Sequence, residues 1–581
     1  MRTLLLLLIF FIGSAFVSTK TSNNPKVVVT DGYFQPPVAG DFYISGTFGE
    51  LRPNHFHAGI DIKVLPNRPL LAVADGYISK ISIEPNGYGK ALFITHPNGL
   101  TSMYAHMNKF TDDVEDFVRQ TQYARQVFET DIFLEPGQFN VLKGQEIGKS
   151  GMTGATRGPH LHFELRNTVT GEVVNPLKNG FKTPDNFAPR IHGLKVYAMN
   201  SRQEVVKSFS VPITNRGGIY RTKNDTISIG CTNASFGLKA YDLIPGGSGW
   251  NGVYSIQAYS NNELIYDAEM DALPYEDLRC INAHIDYAEQ LNNNAYFNKC
   301  FVMPGNPLGI YKTQVNRGII NLSSTPTRIR LAAKDLAGNE ANLDFWVKLD
   351  EEKYNEFLAD PANGSISHDY FLMHDEENVI NTEAAYLYFP RNVLFEDTYF
   401  KYHASTDLSH GIYSQVHQIH NNNTPIHNTY VLGIKPLESF PPELREKAFI
   451  AYCGKNGKIK NCGGIWADNL LQTQVKNLGD YYIMVDTIAP SIVPIGFKKD
   501  MRRASRMSFS IRDNYATPLK EDGLTFNAYI DGQWVLMEYD AKYDNIRHTF
   551  EDNLPKGEHQ LLLVVRDNRN NERIFESSFI R

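Results

Sequence analysis

Three patches within one stretch of the chain hold side chains able to bind and use a metal ion. The first is Phe48-Gly-Glu-Leu-Arg52-Pro-Asn-His55-Phe-His57-Ala-Gly-Ile-Asp61-Ile, and the second is Tyr104-Ala-His106. The third is Ser150-Gly-Met-Thr-Gly154-Ala-Thr-Arg-Gly158-Pro-His160-Leu-His162-Phe-Glu-Leu. Neutral imidazoles with one carboxylate suit Zn²⁺, and three protein ligands leave a fourth position for water. Beside zinc the pKa of that water falls from about 15.7 to about 7, so a nucleophile exists at neutral pH. A histidine outside the donor set can then take the proton and stabilise an oxyanion. The chemistry implied is metal-assisted hydrolysis.

Strands are the elements that must position these groups. Residues two apart on a strand point the same way, so His160 and His162 share a face and Leu161 and Phe163 take the other. The same parity puts Tyr104 with His106, and His57 with Asp61, with Gly59 between the latter pair for a bend or a close approach. Lys90–His96 and Leu100–His106, joined by Pro97-Asn98-Gly99, read as a β-hairpin. Asp112 with Glu115, and the stripe Val114, Phe117, Val118 and Tyr123, predict a helical insertion at about 107–138. Such an insertion can wall one side of a cleft. Each patch alone is a weak signal; their occurrence together, in one β region, carries the reading. Spacing leaves open whether His160 or His162 is the ligand.

Taken together, residues 45–176 resemble the lysostaphin/LytM-type zinc metallopeptidases, which cut peptide bonds of bacterial peptidoglycan. The turns Asn86-Gly-Tyr-Gly89, Lys143-Gly-Gln-Glu-Ile-Gly148 and Gly158-Pro-His-Leu-His-Phe163 share in the likeness. The resemblance implies Zn²⁺ on His57, Asp61 and His162, with His106 and His160 as the catalytic pair. His55 matches no ligand position and reads as a pocket-wall or surface histidine. The implied fold is an antiparallel β-sheet peptidase domain of the duplicated-hybrid-motif kind, carrying the helical insertion. The implied activity is hydrolysis of peptidoglycan cross-links. Other readings are a non-catalytic adaptor that activates wall hydrolases, which an intact ligand set opposes, and a secreted protein-directed peptidase.

The rest of the chain also reads as β. It has 581 residues, 42% hydrophobic and 12% aromatic, enough for several cores and too apolar for disorder. The charge sum, 57 − 64 = −7, lacks the basic excess of a nucleic-acid binder. Leu4 to Val17, after Arg2, has the layout of a secretion signal, and no later run is long enough to span a bilayer. The expected location is therefore the periplasm or cell envelope, or full secretion. In an oxidising compartment Cys280–Cys300 and Cys453–Cys462 can close two loops and leave Cys231 free; the pairing stays open. Asp185-Asn-Phe-Ala-Pro189 recurs as Asp486-Thr-Ile-Ala-Pro490, and Asp335-Leu-Ala-Gly-Asn339-Glu340 recurs in style as Asp567-Asn-Arg-Asn-Asn571-Glu572. These start and stop signals predict tandem Ig-like β-sandwiches. The expected order is a signal at 1–20, a lead-in at 21–45, the peptidase domain at 46–180, and a sandwich at 186–350. A β-rich domain at 351–485 and a sandwich at 486–581 complete it. The sandwiches are expected to hold the catalytic domain near peptidoglycan or other envelope proteins, and to leave cleavage of small peptides unaffected when deleted. His403, His410, His417, His420 and His427 read as exposed histidines, not as a second metal site.

Overall fold

A computed structural model describes residues 32–40, 42–181, 185–244, 249–360, 367–406, 411–454, 457–515, 517, 523–551 and 554–581. The signal reading of 1–20 and residues 21–31 and 41 of the lead-in lie outside these residues. Seven antiparallel strands form the main path of a ten-stranded sheet. They are β1 (Tyr43–Gly46), β2 (Ile60–Lys63), β3 (Gly76–Ile83), β4 (Lys90–Thr95), β5 (Leu100–Met107), β6 (Thr130–Phe133) and β7 (His160–Asn167). Their spatial order is β1-β2-β7-β5-β4-β3-β6. The expected hairpin is β4–β5, with Thr95 opposite Thr101. On β2 and β7 the parity holds: Leu161 faces Ile62 and Phe163 faces Ile60 across the ladder. All four are fully buried in one cluster with Tyr104. The residues between them, Asp61 and His162, are left for the opposite face.

The insertion contains helix α1 (Asp112–Arg125), whose N-cap is Thr111, one residue before the expected Asp112 start. Glu115 reaches back to accept the Phe110 N–H at 3.0 Å and pairs with Lys90 at 2.5 Å. Val114 and Val118 enter the core as the stripe predicts. Tyr123 does not: its hydroxyl donates to Glu551 at 2.9 Å and its ring meets Trp534 at 5.3 Å, both from the far end of the chain.

Three further two-sheet units follow, and the chain is mainly β throughout. Between 190 and 349 a five-stranded and a seven-stranded sheet close over a shared core, with Phe236 edge-on to Phe345 at 5.1 Å. Between 378 and 485 two five-stranded sheets do the same. Between 491 and 580 two four-stranded sheets pack, with Phe509 against Phe575 at 5.2 Å. These units are not simple tethers. Phe48, Phe56, Ala58 and Val173 of the first region belong to the core of the 190–349 unit. From the last unit, the Lys542 ammonium donates to the Met152 carbonyl. This shared core argues against the expectation that deleting the sandwiches leaves cleavage of small peptides unaffected.

Among the described residues, which include all five cysteines, no disulfide joins any pair. Burial pushes the Cys300 thiol up to about 12, so it stays protonated and inert. Cys462 lies in the core between two sheets, whereas Cys453 packs with a separate cluster. Among the described residues no helix is long and apolar enough to cross a membrane.

Candidate active site

Three donor atoms meet on the polar face of β2 and β7. His57 Nε2 is 3.1 Å from Asp61 Oδ1 and 2.9 Å from His162 Nδ1, and His162 Nδ1 is 3.0 Å from Asp61 Oδ1. Asp61 and His162 are register partners across the ladder, so their convergence follows from the pleat. His57 precedes β2 and is brought in by a close approach at Gly59, where a Cβ would lie 2.3 Å from the Phe163 carbonyl. All three side chains are buried.

The other ring nitrogens fix the tautomers. His57 Nδ1 donates to the Thr47 carbonyl at 2.7 Å, and His162 Nε2 donates to the Glu164 carboxylate at 2.9 Å. In the neutral rings His57 Nε2 and His162 Nδ1 are therefore lone pairs, and both point at a carboxylate oxygen. Three lone pairs so close call for a cation. Tetrahedral zinc with ligands at about 2.0–2.1 Å sets ligand atoms about 3.3 Å apart, within a few tenths of an ångström of the triangle seen. The residues present fit Zn²⁺, and each imidazole has the outer partner that ligating histidines carry.

Electrostatics divide the two rings: His57 is held neutral, whereas the carboxylates around His162 favour a proton that a bound cation would displace. Burial pushes His57 down to about 4, against the pull of Asp61. Burial also opposes charge on His162, but Asp61 and Glu164 outweigh it and hold that ring up at about 9. Burial disfavours the Asp61 anion too, yet His57, His162 and Arg52 hold its carboxyl well below the usual range. Arg52 Nη2 sits 2.5 Å from Asp61 Oδ2. Glu164 is fully buried and receives Tyr88 Oη at 2.7 Å and Arg166 at 2.6 Å.

His106 and His160 stand beside this set, their rings 4.7 Å apart. Their route there departs from simple alternation. Tyr104 lies opposite Phe163 and is buried in the core, where its hydroxyl accepts the Val73 N–H at 2.9 Å. His106 should follow it, but its φ is +59° and the β4–β5 register slips nearby. The ring is thereby turned to the His162 side, 6.0 Å from it. A left-handed non-glycine residue costs on the order of 1 kcal/mol and is a mark of functional sites. Tyr104 and His106 thus do not share a face. His106 Nδ1 donates to the Thr153 carbonyl at 2.9 Å, which leaves Nε2 as a lone pair. Burial, with His162 and His160 adding, pushes it down to about 3. His160 Nδ1 donates to the Gly158 carbonyl at 3.0 Å, and its Nε2 lies 3.5 Å from Asp61.

Glu164, Arg52, Tyr88 and the Thr47 carbonyl received no role from the sequence. Glu164 had a readable signal, since it shares the parity of His162. His55 is exposed on the strand His55–Phe56, and its Nδ1 lies 3.0 Å from the Pro53 carbonyl; it is not part of the donor triangle. Of the later histidines, His410 lies outside the described residues. His403 is exposed, but His417 is fully buried and bonded to Tyr402 at 2.8 Å, which corrects its reading as exposed. Among the described residues His427 lies with Asp277 and Cys280 in a group able to hold a metal ion, which departs from the reading of these histidines as bare surface groups, and no such group brings two of the five together.

Comparison with known proteins matches residues 55–132 and 127–176 to peptidase family M23, and residues 369–486 to a Zu5-like domain. The DD-carboxypeptidase/endopeptidase Mpg of Neisseria meningitidis serogroup B is 34% identical over 129 residues, 22% of this chain and 24% of the relative. The peptidoglycan DD-endopeptidase ShyA of Vibrio cholerae is 31% identical, over 21% of this chain and 22% of the relative. The cell division protein DipM of Caulobacter vibrioides is 24% identical, over 27% and 22%. The match spans about a quarter of the length of these relatives. Among solved structures, the catalytic domain of the M23 protein EnpA of Enterococcus faecalis is 26% identical with a TM-score of 0.19. It covers 26% of this chain and 100% of that one. The catalytic domain of lysostaphin from Staphylococcus simulans is 22% identical with a TM-score of 0.18, covering 24% and 90%.

Proposed function

We propose that this protein is an exported zinc endopeptidase that hydrolyses peptide cross-links of bacterial peptidoglycan; the match of residues 55–132 and 127–176 to peptidase family M23 supports this reading. The observation that carries this reading is the triangle of His57, Asp61 and His162 donor atoms with both outer ring nitrogens already engaged. Zinc bound there supplies a Lewis acid and an activated water. His106 Nε2, held as a lone pair by the Thr153 contact, accepts the proton from the attacking water. His106 then gives that proton to the leaving amine, and His160, at the open side of the set, flanks the oxygen that becomes negative on the scissile carbonyl; the two rings can exchange these roles. Asp61 offsets part of the metal charge, and Arg52 holds its second oxygen. The complete donor set speaks against the adaptor reading. Digestion of purified peptidoglycan, with mass analysis of the fragments, tests the proposal against a protein substrate. Asp61→Ala and His162→Ala are expected to lose both zinc and hydrolysis; full activity in either variant with zinc still bound refutes the assignment.

A further inference from the structure

The recurring sequence signals meet in space. In the 190–349 unit, Asp185 from the start signal and Asp335 from the stop signal come together with Asp242. In the last unit, Asp486 and Asp567 come together with Asp513. Within each set one carboxylate oxygen per residue lies within 4.8 Å of the others. The supporting bonds repeat as well. Asn339 Nδ2 donates to the Asp185 carbonyl at 3.3 Å and to Asp335 at 2.7 Å. Asn571 Nδ2 donates to the Asp486 carbonyl at 2.9 Å and to Asp567 at 2.7 Å.

Acidic clusters alone prove little, but here each contains an orphan. Asp242 is 3% exposed and its Oδ1 has no hydrogen-bond donor. Asp486 is 1% exposed and its Oδ2 has none, and Asp513 Oδ1 is likewise buried without a partner. A buried carboxylate oxygen without a donor forfeits its hydration for nothing, and three like charges in reach of one another repel. Among the described residues none of the six is ion-paired to Lys, Arg or His. A bound cation removes both penalties. The donors are all hard oxygens, which excludes a zinc-type set and suits a cation tolerant of irregular geometry.

We propose that Asp185, Asp242 and Asp335, and equivalently Asp486, Asp513 and Asp567, form two Ca²⁺ sites, each clamping a β-sandwich where the chain enters it. The first borders a cavity of about 340 Å³ that Thr47 and Leu177 of the peptidase region also line, which gives the ion an entry path. The second lies where Lys447 and Asn461 of the preceding unit bond to Arg569 and Asn568. Ca²⁺ therefore stiffens two joints of the molecule, and does so independently of the peptidase site.

The test is calorimetric titration of the full chain with Ca²⁺ after stripping with a calcium-selective chelator. Two ions per chain are expected, with one in Asp242→Asn, one in Asp513→Asn and none in the double variant. Asparagine keeps the shape, and the surviving site in each single variant reports that the chain is folded. Zinc content, measured alongside, stays unchanged. Absence of binding at millimolar Ca²⁺, or an unchanged stoichiometry in the single variants, overturns the proposal whatever the peptidase activity.

Discussion

Gly252 lies in the 190–349 unit, yet substituting it is expected to damage the proposed zinc site. A Cβ there would meet the Glu50 Cα at 2.8 Å and the Glu50 nitrogen at 3.2 Å, both backbone atoms with little freedom to give. The same glycine accepts from Thr47 Oγ1 at 3.3 Å and donates back to it at 3.0 Å. The Thr47–Glu50 turn in turn holds His57 twice: the Glu50 carbonyl accepts its N–H at 2.9 Å, and the Thr47 carbonyl accepts its Nδ1–H at 2.7 Å. Relieving the overlap in Gly252→Ala needs a shift of about half an ångström, at a cost of about 1–3 kcal/mol in an already packed core. Metal–ligand distances tolerate only about 0.2 Å. Disturbing a group that orients a ligand imidazole typically lowers metal affinity or activity about 10–100-fold. Zinc affinity by competition with a chelating dye, peptidoglycan hydrolysis and a denaturant midpoint, all on the same preparation, measure the effect. Zinc affinity and hydrolysis equal to the parent would mean that the sandwich does not support the site, and that the shared core of Phe48 and Phe56 is incidental to catalysis.

Glu164→Gln removes the charge from the acceptor of His162 Nε2–H and is expected to weaken zinc binding or hydrolysis about 10–100-fold, read by the same dye competition. His106→Ala and His160→Ala are expected to keep one zinc per chain and lose hydrolysis by about 10²–10⁴-fold, so metal analysis separates them from ligand variants. Stability is also expected to fall with acid through His284. This ring is 1% exposed, packs on Phe56 and is pushed from 6.5 down to about 4 by burial. The folded state thus binds fewer protons than the unfolded one. Its contribution is whole above about pH 6.5 and drains away as pH falls towards 4, reaching about 3 kcal/mol at one proton per chain. Denaturant titrations at pH 7 and pH 4 should show a smaller pH-dependent loss for His284→Gln than for the parent; equal losses would acquit this histidine.

What the sequence made legible was whatever depends on the two-residue period. It separated His160 and His162 from Leu161 and Phe163, and it allowed Asp61 and His162 to meet across one ladder. Read further, the same period would have found Glu164, two residues beyond His162 on the same face. It could not find His106 correctly. Strict alternation buries that ring with Tyr104 in the core, and only a local backbone reversal turns it towards His160. That reversal follows from contacts to Tyr88 and Thr153, residues far away in sequence, so no local pattern carries it. The dependence of His57 on another unit was hidden for the same kind of reason. Phe48, Phe56 and Ala58 read as ordinary strand hydrophobics, and nothing in their spacing says which core receives them. Because that core belongs to the following sandwich, a chain cut after Gly180 would expose both phenylalanines, worth about 1.5–3 kcal/mol each. It would also free the turn that aims His57. The peptidase region therefore needs its neighbour to present a preformed donor triangle, and a truncated chain should lose zinc affinity before it loses its sheet.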